Sequence, residues 1–95
     1  MCLGVVLVDV RTVTEIKEGV IPNSVHIEWI RAEAKFTLSL EELTVLLPDK
    51  SASLVVFCKS GKRAAMAMNK LTEFGYLNLT NGINKQTIQA ALLEE

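Results

Sequence analysis

The chain has 95 residues, of which 49% are hydrophobic and 22% charged, and its formal net charge is -1 at pH 7. This length predicts one domain spanning residues 1–95, and the small net charge argues against nucleic acid as a partner. The apolar stretches are far shorter than the roughly 20 residues that span a bilayer, so no membrane segment is expected. Residues 1–8 lack the basic flank of a signal peptide, which favours a cytoplasmic protein, or a periplasmic one whose leader was removed.

The two cysteines, Cys2 and Cys58, form no C-x-x-C motif. A disulfide scaffold is not expected in a chain with this much apolar sequence, and two cysteines with the single histidine do not make a structural zinc site. We therefore expect no metal and no organic cofactor. Cys2 is expected to be a terminal or buried residue, whereas Cys58 is distinguished by the residues that follow it.

The N-terminal part predicts a strand followed by a short helix. Residues 5–10 are a β-branched run of the kind that is buried in a parallel sheet. Thr12 and Glu15 have the spacing of a capping box, and Gly19 fits the position after a helix end, so a helix is predicted over residues 13–17.

The middle part predicts a turn over residues 21–24, a short strand at 25–27 and then an irregular segment. His26 lies in the alternating strand, where we expect it to be an ordinary surface residue. Trp29 is expected to pack in the interior or at the rim of a pocket. The alternating acidic and basic residues around 28–35 are expected to form a solvated connection.

The second half predicts two further pairs of strand and helix. Ser39 and Glu42 form a second capping box, which starts a helix that Pro48 ends. Residues 54–57 are an apolar strand with Cys58 at its carboxyl end.

A helix with an apolar stripe over residues 64–74 follows Cys58. Residues 77–79 are predicted to form the last strand, 81–82 a turn, and 85–93 a final amphipathic helix. Strands that alternate with helices predict an α/β fold, a sandwich around a mostly parallel central sheet flanked by helices. Ligands of such folds bind at the carboxyl ends of the strands, which is where Cys58 is placed.

The residues around Cys58 favour a reactive thiolate beside an anion-binding loop. The stretch from 51 to 72 contains no Asp or Glu, but it carries four cations, Lys59, Lys62, Arg63 and Lys70. Ser60 and Gly61 are small, so the successive amides of the loop can surround an anion near the start of the next helix. Thiol pKa values fall near cations and helix N-termini, so we predict a lowered pKa for Cys58.

Two alternatives compete with a reactive thiol of this kind. A strand-end cysteine is often one more buried core residue, but the loop and helix that follow Cys58 favour the reactive interpretation. A phosphatase loop of the Cys-x5-Arg type would require arginine at position 64, where this chain has Ala64; its arginine is Arg63. No acid within the loop is available to protonate a leaving alcohol. Phosphatase or arsenate reductase activity is therefore disfavoured.

Three stretches of the chain form a recognisable set: residues 7–16 are LVDVRTVTEI, residues 18–27 are EGVIPNSVHI, and residues 55–65 are VVFCKSGKRAA. Together they are similar to motifs of the rhodanese family, in particular of its small single-domain bacterial members. The first stretch resembles the family's Asp-Val-Arg entry from a strand into a helix, and the second its Gly-His-Ile-Pro-Gly-Ala element. The third resembles its active-site loop of the Cys-x-x-Gly-x-x type.

The resemblance implies a rhodanese-like three-layer fold and a sulfurtransferase whose nucleophile is Cys58. This cysteine would take a sulfane sulfur from thiosulfate or a persulfide donor and pass it to a thiol or protein acceptor. The substrate-binding positions implied by the loop are Lys59, Ser60, Gly61, Lys62, Arg63 and Ala64. Asp9 and Arg11 are expected to support the site structurally.

Three kinds of function remain open at this point. The chain is expected to be an enzyme, with a non-enzymatic sulfur carrier and an idle regulatory or interaction module as the alternatives. The intact Cys58 loop argues against the idle module, and turnover with a small donor separates the enzyme from the carrier. We expect a monomer or weak dimer whose partners are a small anionic sulfur donor and a sulfur acceptor, with no nucleic acid and no membrane.

Overall fold

A computed structural model describes residues 5–88 of the chain. Its elements in chain order are β1 (Val5–Asp9), α1 (Val13–Ile16), β2 (Val25–His26), β3 (Trp29–Ile30), β4 (Lys35–Phe36), α2 (Leu40–Leu46), β5 (Ser53–Cys58), α3 (Lys62–Glu73) and β6 (Asn78–Asn84). Strands β2, β1, β5 and β6 lie side by side in that order and are all parallel. Strands β3 and β4 form a separate antiparallel hairpin. The architecture is the expected α/β fold with a mostly parallel central sheet.

The two faces of the sheet are covered by different elements, which produces three layers. Alternate residues of β1 and β5 point to opposite faces. On one face, Val8 and Val56 are fully buried in a cluster with Leu43 of α2 and Leu71 of α3. The buried cluster on the other face consists of Leu7, Ile21, Phe57 and Ile88. Because both faces are covered, the central strands are apolar on both sides.

Both predicted capping boxes are present, and they set the starts of α1 and α2. The Thr12 hydroxyl accepts a hydrogen bond from the Glu15 amide at 3.2 Å, and the Glu15 carboxylate accepts a hydrogen bond from the Thr12 amide at 3.0 Å. Ser39 and Glu42 form the same pair of bonds, also at 3.2 and 3.0 Å. These bonds satisfy donors that the first turn of a helix leaves without a partner.

The segment over residues 28–35 is exposed at residues 31–35, as its charges predict, but it also contains strand β3 with the buried Trp29. Trp29 in β3 pairs with Phe36 in β4, and their rings meet edge to face with centroids 4.9 Å apart. Both residues are buried. Burial of this aromatic pair organises the hairpin and leaves the charged residues exposed at its tip. Trp29 is thus an interior packing residue, as predicted.

Asn81 and Gly82 lie inside a strand, so the predicted turn is wrong and β6 is longer than predicted. A bulge leaves Gly82 without a partner on β5, between the paired residues Asn81 and Ile83. A Cβ on Gly82 would lie 2.7 Å from Val55 Cγ1 and 2.9 Å from Ile88 Cδ1. The position requires glycine because neighbouring side chains pack against its backbone, and not because the chain reverses there.

The two ends of the chain lie outside the described residues. This applies to Cys2 and to the part of the predicted final helix beyond residue 88; residues 85–88 are helical. Within residues 5–88, no helix is both long enough and apolar enough to cross a bilayer. The same residues contain no cluster of three or more His, Cys, Asp or Glu side chains placed to hold a metal ion.

Candidate active site

Cys58 ends strand β5 at the carboxyl edge of the sheet, as predicted. The chain then passes through residues 59–61 and enters α3 at Lys62. Gly61 is the N-cap and has a φ of 88°, a left-handed conformation that glycine adopts without steric cost. The loop directs the Gly61 amide at the Cys58 sulfur, which accepts its hydrogen bond at 3.0 Å.

Burial and the backbone amides of the loop act on the pKa of Cys58 in opposite directions. Burial acts to raise the pKa of this thiol, but hydrogen bonding from loop amides outweighs burial, and the pKa is lowered from its ordinary value. The contributing amides are those of Ala64, Ser60, Gly61 and Arg63. The direction agrees with the sequence prediction. Backbone amides of the loop lower the pKa, and the Arg63 guanidinium also interacts with the Cys58 sulfur, whereas the side chains of Lys59 and Lys62 are exposed to solvent.

A small pocket of about 180 Å³ lies over Cys58. Pockets for drug-sized organic molecules usually measure about 300–1,000 Å³, so this one suits a small ion. Its lining residues are Arg11, Glu18, Cys58, Lys59, Lys85 and Gln86. Three of these six side chains are cations and one is an acid, which favours anionic molecules. Cys58 itself is 0% exposed, so side chains of the pocket wall must shift before a reagent contacts the sulfur.

Asp9 and Arg11 form a buried ion pair beside the pocket. Arg11 Nη2 and Nε donate to Asp9 Oδ2 at 2.8 and 3.0 Å. Arg11 Nη2 also donates to the Gly19 carbonyl at 2.7 Å, which ties the end of β1 to the loop that carries Glu18. These contacts fix the end of β1, and a supporting role of the pair in a site stays a prediction. Arg11 has a second role that was not expected, since it lines the pocket as well.

Arg63 forms an ion pair with Glu15 of α1. Its Nη1 and Nη2 donate to the two carboxylate oxygens of Glu15 at 2.6 and 2.9 Å. The Arg63 guanidinium, with smaller effects from the hydrogen bonds of Thr12, lowers the pKa of Glu15 to about 2 against the opposing effect of burial. Arg63 thus links the loop to α1, and its guanidinium also interacts with Cys58. Its role in binding an anionic substrate stays a prediction.

The other predicted substrate-binding residues separate into three groups. Lys59 lines the pocket with Cys58. Ser60 and Lys62 are exposed. Gly61 and Ala64 are buried, and they present their backbone amides to the sulfur.

Three residues that line the pocket, Glu18, Lys85 and Gln86, were not predicted from the sequence. Lys85 Nζ lies over Gly19, at 3.0 Å from where a Cβ on that glycine would be. Lys85 and Gln86 follow directly after β6, which ends at Asn84 and not at residue 79 as predicted. Ligands of such folds bind at the carboxyl ends of strands, so a correctly predicted β6 would have placed both residues at the site. No sequence pattern of this kind identifies Glu18 as a pocket residue.

His26 is not the free surface residue that its strand pattern predicts. It is half-buried, and its Nε2 lies 2.7 Å from the Arg11 carbonyl oxygen. A carbonyl oxygen only accepts, so Nε2 carries the hydrogen. His26 thus holds the backbone of Arg11, a pocket residue, at the end of β1.

A larger pocket, of about 490 Å³, lies at the opposite edge of the sheet. It is formed by the amino ends of β1 and β5 and the end of α2, and Asp49 is the charged residue in its lining. It lacks a nucleophile of the cysteine type and a cluster of cations. The smaller pocket is the candidate active site because it combines a thiol, directed amides and positive charge.

A family model described as "Rhodanese-like domain" matches residues 2–87 of the chain. The chain is 36% identical over 80 residues to a Schizosaccharomyces pombe protein whose name provisionally assigns it as a mitochondrial thiosulfate sulfurtransferase, covering 80% of this chain and 56% of that protein. It is 35% identical over 79 residues to the thiosulfate:glutathione sulfurtransferase of Saccharomyces cerevisiae, covering 79% of this chain and 57% of that protein. The chain thus spans little more than half the length of these relatives. Both are yeast proteins, so they do not confirm the bacterial origin expected from the resemblance.

Among solved structures, a rhodanese with anions from E. coli matches this fold with a TM-score of 0.71. The sequence identity is 22%, and the match covers 87% of this chain and 89% of that one. At this level of identity the likeness concerns the fold, and it confirms the expected architecture.

Proposed function

Because this chain belongs to the rhodanese-like domain family, we propose that it is a sulfurtransferase that carries sulfur as a persulfide on Cys58. The observation that carries the proposal is the position of the Cys58 sulfur. It accepts a hydrogen bond from the Gly61 amide at 3.0 Å and lies beside a pocket lined by cations. The thiolate is the attacking form of a cysteine, and the lowered pKa of Cys58 favours it. The names of the two yeast relatives support thiosulfate as the donor, and one of them supports glutathione or a similar thiol as the acceptor.

In the first step, the Cys58 thiolate attacks the outer sulfur of thiosulfate. A bond forms between Cys58 Sγ and that sulfur, the sulfur–sulfur bond of thiosulfate breaks, and sulfite leaves with the electron pair of the broken bond. The step needs no oxidant, because the transferred sulfur is already sulfane sulfur. Cys58 then carries a persulfide anion.

In the second step, the thiolate of the acceptor attacks the outer sulfur of the persulfide. The new persulfide forms on the acceptor, and Cys58 leaves as a thiolate with the electrons of the broken bond. Fixed amide dipoles stabilise negative charge on sulfur in both steps, and they need no reorganisation as the charge moves. Lys59 and Lys85, which line the pocket, attract the anionic donor.

The test is sulfite release from thiosulfate in the presence of glutathione, for the native protein and two serine variants. Cys58→Ser is expected to lower turnover by at least about 1,000-fold, the scale on which loss of a nucleophile acts. Cys2→Ser is the matched control, because it removes the other cysteine of the chain. It is expected to leave turnover unchanged.

Repeated turnover by the native protein supports the enzyme. Release of one sulfite per chain without further turnover supports the sulfur carrier instead. Sulfite release that persists in Cys58→Ser contradicts the proposal. So does a native protein that takes sulfur neither from thiosulfate nor from glutathione persulfide.

A further inference from the structure

The side chain of Asn81 joins strand β6 to the Cys58 loop. Its Nδ2 donates to the Gly61 carbonyl at 3.0 Å, and its Oδ1 accepts from the Ile83 amide at 2.8 Å. Both polar ends of the side chain are thus bonded to backbone, one in the loop and one in β6.

Gly61, the residue that Asn81 holds, is also the residue whose amide reaches the Cys58 sulfur. Its space is limited on the side of β6, since a Cβ on Gly61 would lie 3.4 Å from Ile83 Cγ2 and 3.6 Å from Asn81 Oδ1. The Cys58 loop therefore packs against the carboxyl-terminal half of β6. A change in this contact is transmitted to the Gly61 backbone without passing through another side chain.

A bulge in β6 directly follows Asn81. Gly82 is the additional residue, and Ile83 follows it with a φ of 68°, a left-handed conformation that β-branched residues rarely adopt. The hydrogen bond from the Ile83 amide to Asn81 closes this local arrangement. Asn81 consequently stabilises the bulge and the loop together.

We propose that Asn81 is a positioning residue for the candidate active site, and that its bond to the Gly61 carbonyl holds the Gly61 amide on the Cys58 sulfur. The inference deepens the proposed function, since it concerns the thiol assigned there as the nucleophile. Asn81 is not in contact with the sulfur. It acts through Gly61.

The test is the pH dependence of alkylation of Cys58 by iodoacetamide, measured on Asn81→Ala and on the native protein. Within residues 5–88, the charged groups facing Cys58 or lining its pocket are Arg63 with its partner Glu15, Arg11 with its partner Asp9, and Glu18, Lys59 and Lys85. Asn81→Ala changes none of these charges, so a shifted profile reports the loop amides. We expect the midpoint to rise by about 0.5–1 pH unit and the rate at pH 7 to fall about three- to tenfold.

Asn78→Ala is the matched control. Asn78 lies at the other end of β6 and also donates a side-chain hydrogen bond to a backbone carbonyl, that of Ser51, at 2.7 Å. It is expected to leave the midpoint unchanged even if the melting temperature falls. An unchanged midpoint in Asn81→Ala, or an equal rise in Asn78→Ala, overturns the proposal.

A second variant covers the case in which Asn81→Ala does not fold. Asn81→Ser adds no charge, and its hydroxyl can still accept the hydrogen bond of the Ile83 amide two residues further on, but the shorter side chain loses the donor that reaches the Gly61 carbonyl. A rise in the midpoint of this variant supports positioning. A midpoint equal to that of the native protein contradicts it. Iodoacetamide needs no sulfur donor, so this result is independent of whether the protein transfers sulfur.

Discussion

Cys58 is subject to two opposing effects. It is wholly buried, which disfavours a charged thiolate, and yet the amides of its loop lower its pKa. Amide dipoles are fixed by the backbone, whereas exposed lysine charges are mobile and screened by salt. The lowered pKa of Cys58 therefore depends on the conformation of its loop, with the Arg63 guanidinium as a further favourable charge.

Alkylation of the native protein by iodoacetamide should follow a titration whose midpoint lies below that of a free thiol, about 8.5. The pKa of Cys58 is lowered, so the thiolate persists to lower pH than in an ordinary cysteine. The rate is followed on the peptide that contains Cys58, which keeps Cys2 out of the measurement. A midpoint at or above about 8.5 contradicts this description of the loop.

At the residue scale, the sequence predicts what local spacing determines. Cys58 and Gly61 are recognisable because a thiol, a small turn and a helix start follow one another in the chain. The partners of Gly61 and Arg63 are not recognisable in the same way. Asn81 lies 20 residues from Gly61 and Glu15 lies 48 residues from Arg63, so only the folded chain brings them together.

Among the elements, α1 depends on contacts outside itself. It has four residues, fewer than an isolated helix needs to be stable in water. Its capping box stabilises its own first turn, and the pair between Glu15 and Arg63 holds it against the start of α3. Both side chains of the pair are less than one-fifth exposed, so solvent screens it less than a surface ion pair.

Glu15→Gln is expected to lower the free energy of unfolding by on the order of 1–2 kcal/mol at pH 7. The pKa of Glu15 is about 2 in the folded protein against 4.5 ordinarily, so its stabilising effect is complete above pH 4.5. The effect is lost as the pH falls from 4.5 to about 2, and the difference between native protein and variant should shrink over that range. Urea unfolding at several pH values measures it.

Glu42→Gln provides a matched control, because Glu42 occupies the same capping-box position in α2 and is bonded to Ser39. We expect it to cost less stability than Glu15→Gln. Equal losses in the two variants would mean that the cap, and not the pair with Arg63, is what Glu15 contributes.

Helix starts are well predicted from the sequence, because a capping box is a local pattern. The β3–β4 hairpin and the bulge at Gly82 are not, because tertiary packing decides them. Trp29 and Phe36 are seven residues apart and become a pair only when the hairpin forms. The pair Asn81 and Gly82 predicts a turn from sequence, but glycine is needed at position 82 because the side chains of Val55 and Ile88 fill the space beside it.

At the scale of the whole molecule, the candidate site is assembled where several chain segments meet. The carboxyl ends of β1, β5 and β6 lie at one edge of the parallel sheet, and residues from the segments that follow them line the pocket. This topology places Cys58 correctly from sequence alone. The pocket wall is less predictable, because Glu18, Lys85 and Gln86 reach it through the conformations of their connecting segments.

The central claim is that Cys58 carries sulfur, and the most direct measurement is the intact mass of the protein after incubation with thiosulfate. The native protein should gain about 32 Da, the mass of one sulfur atom, and lose it again on treatment with dithiothreitol or cyanide, as expected for attack by a thiolate. Cys58→Ser should show no gain, and Cys2→Ser should behave as the native protein does. An adduct that survives in Cys58→Ser, or a native mass that stays unchanged with thiosulfate and with glutathione persulfide, would contradict the account.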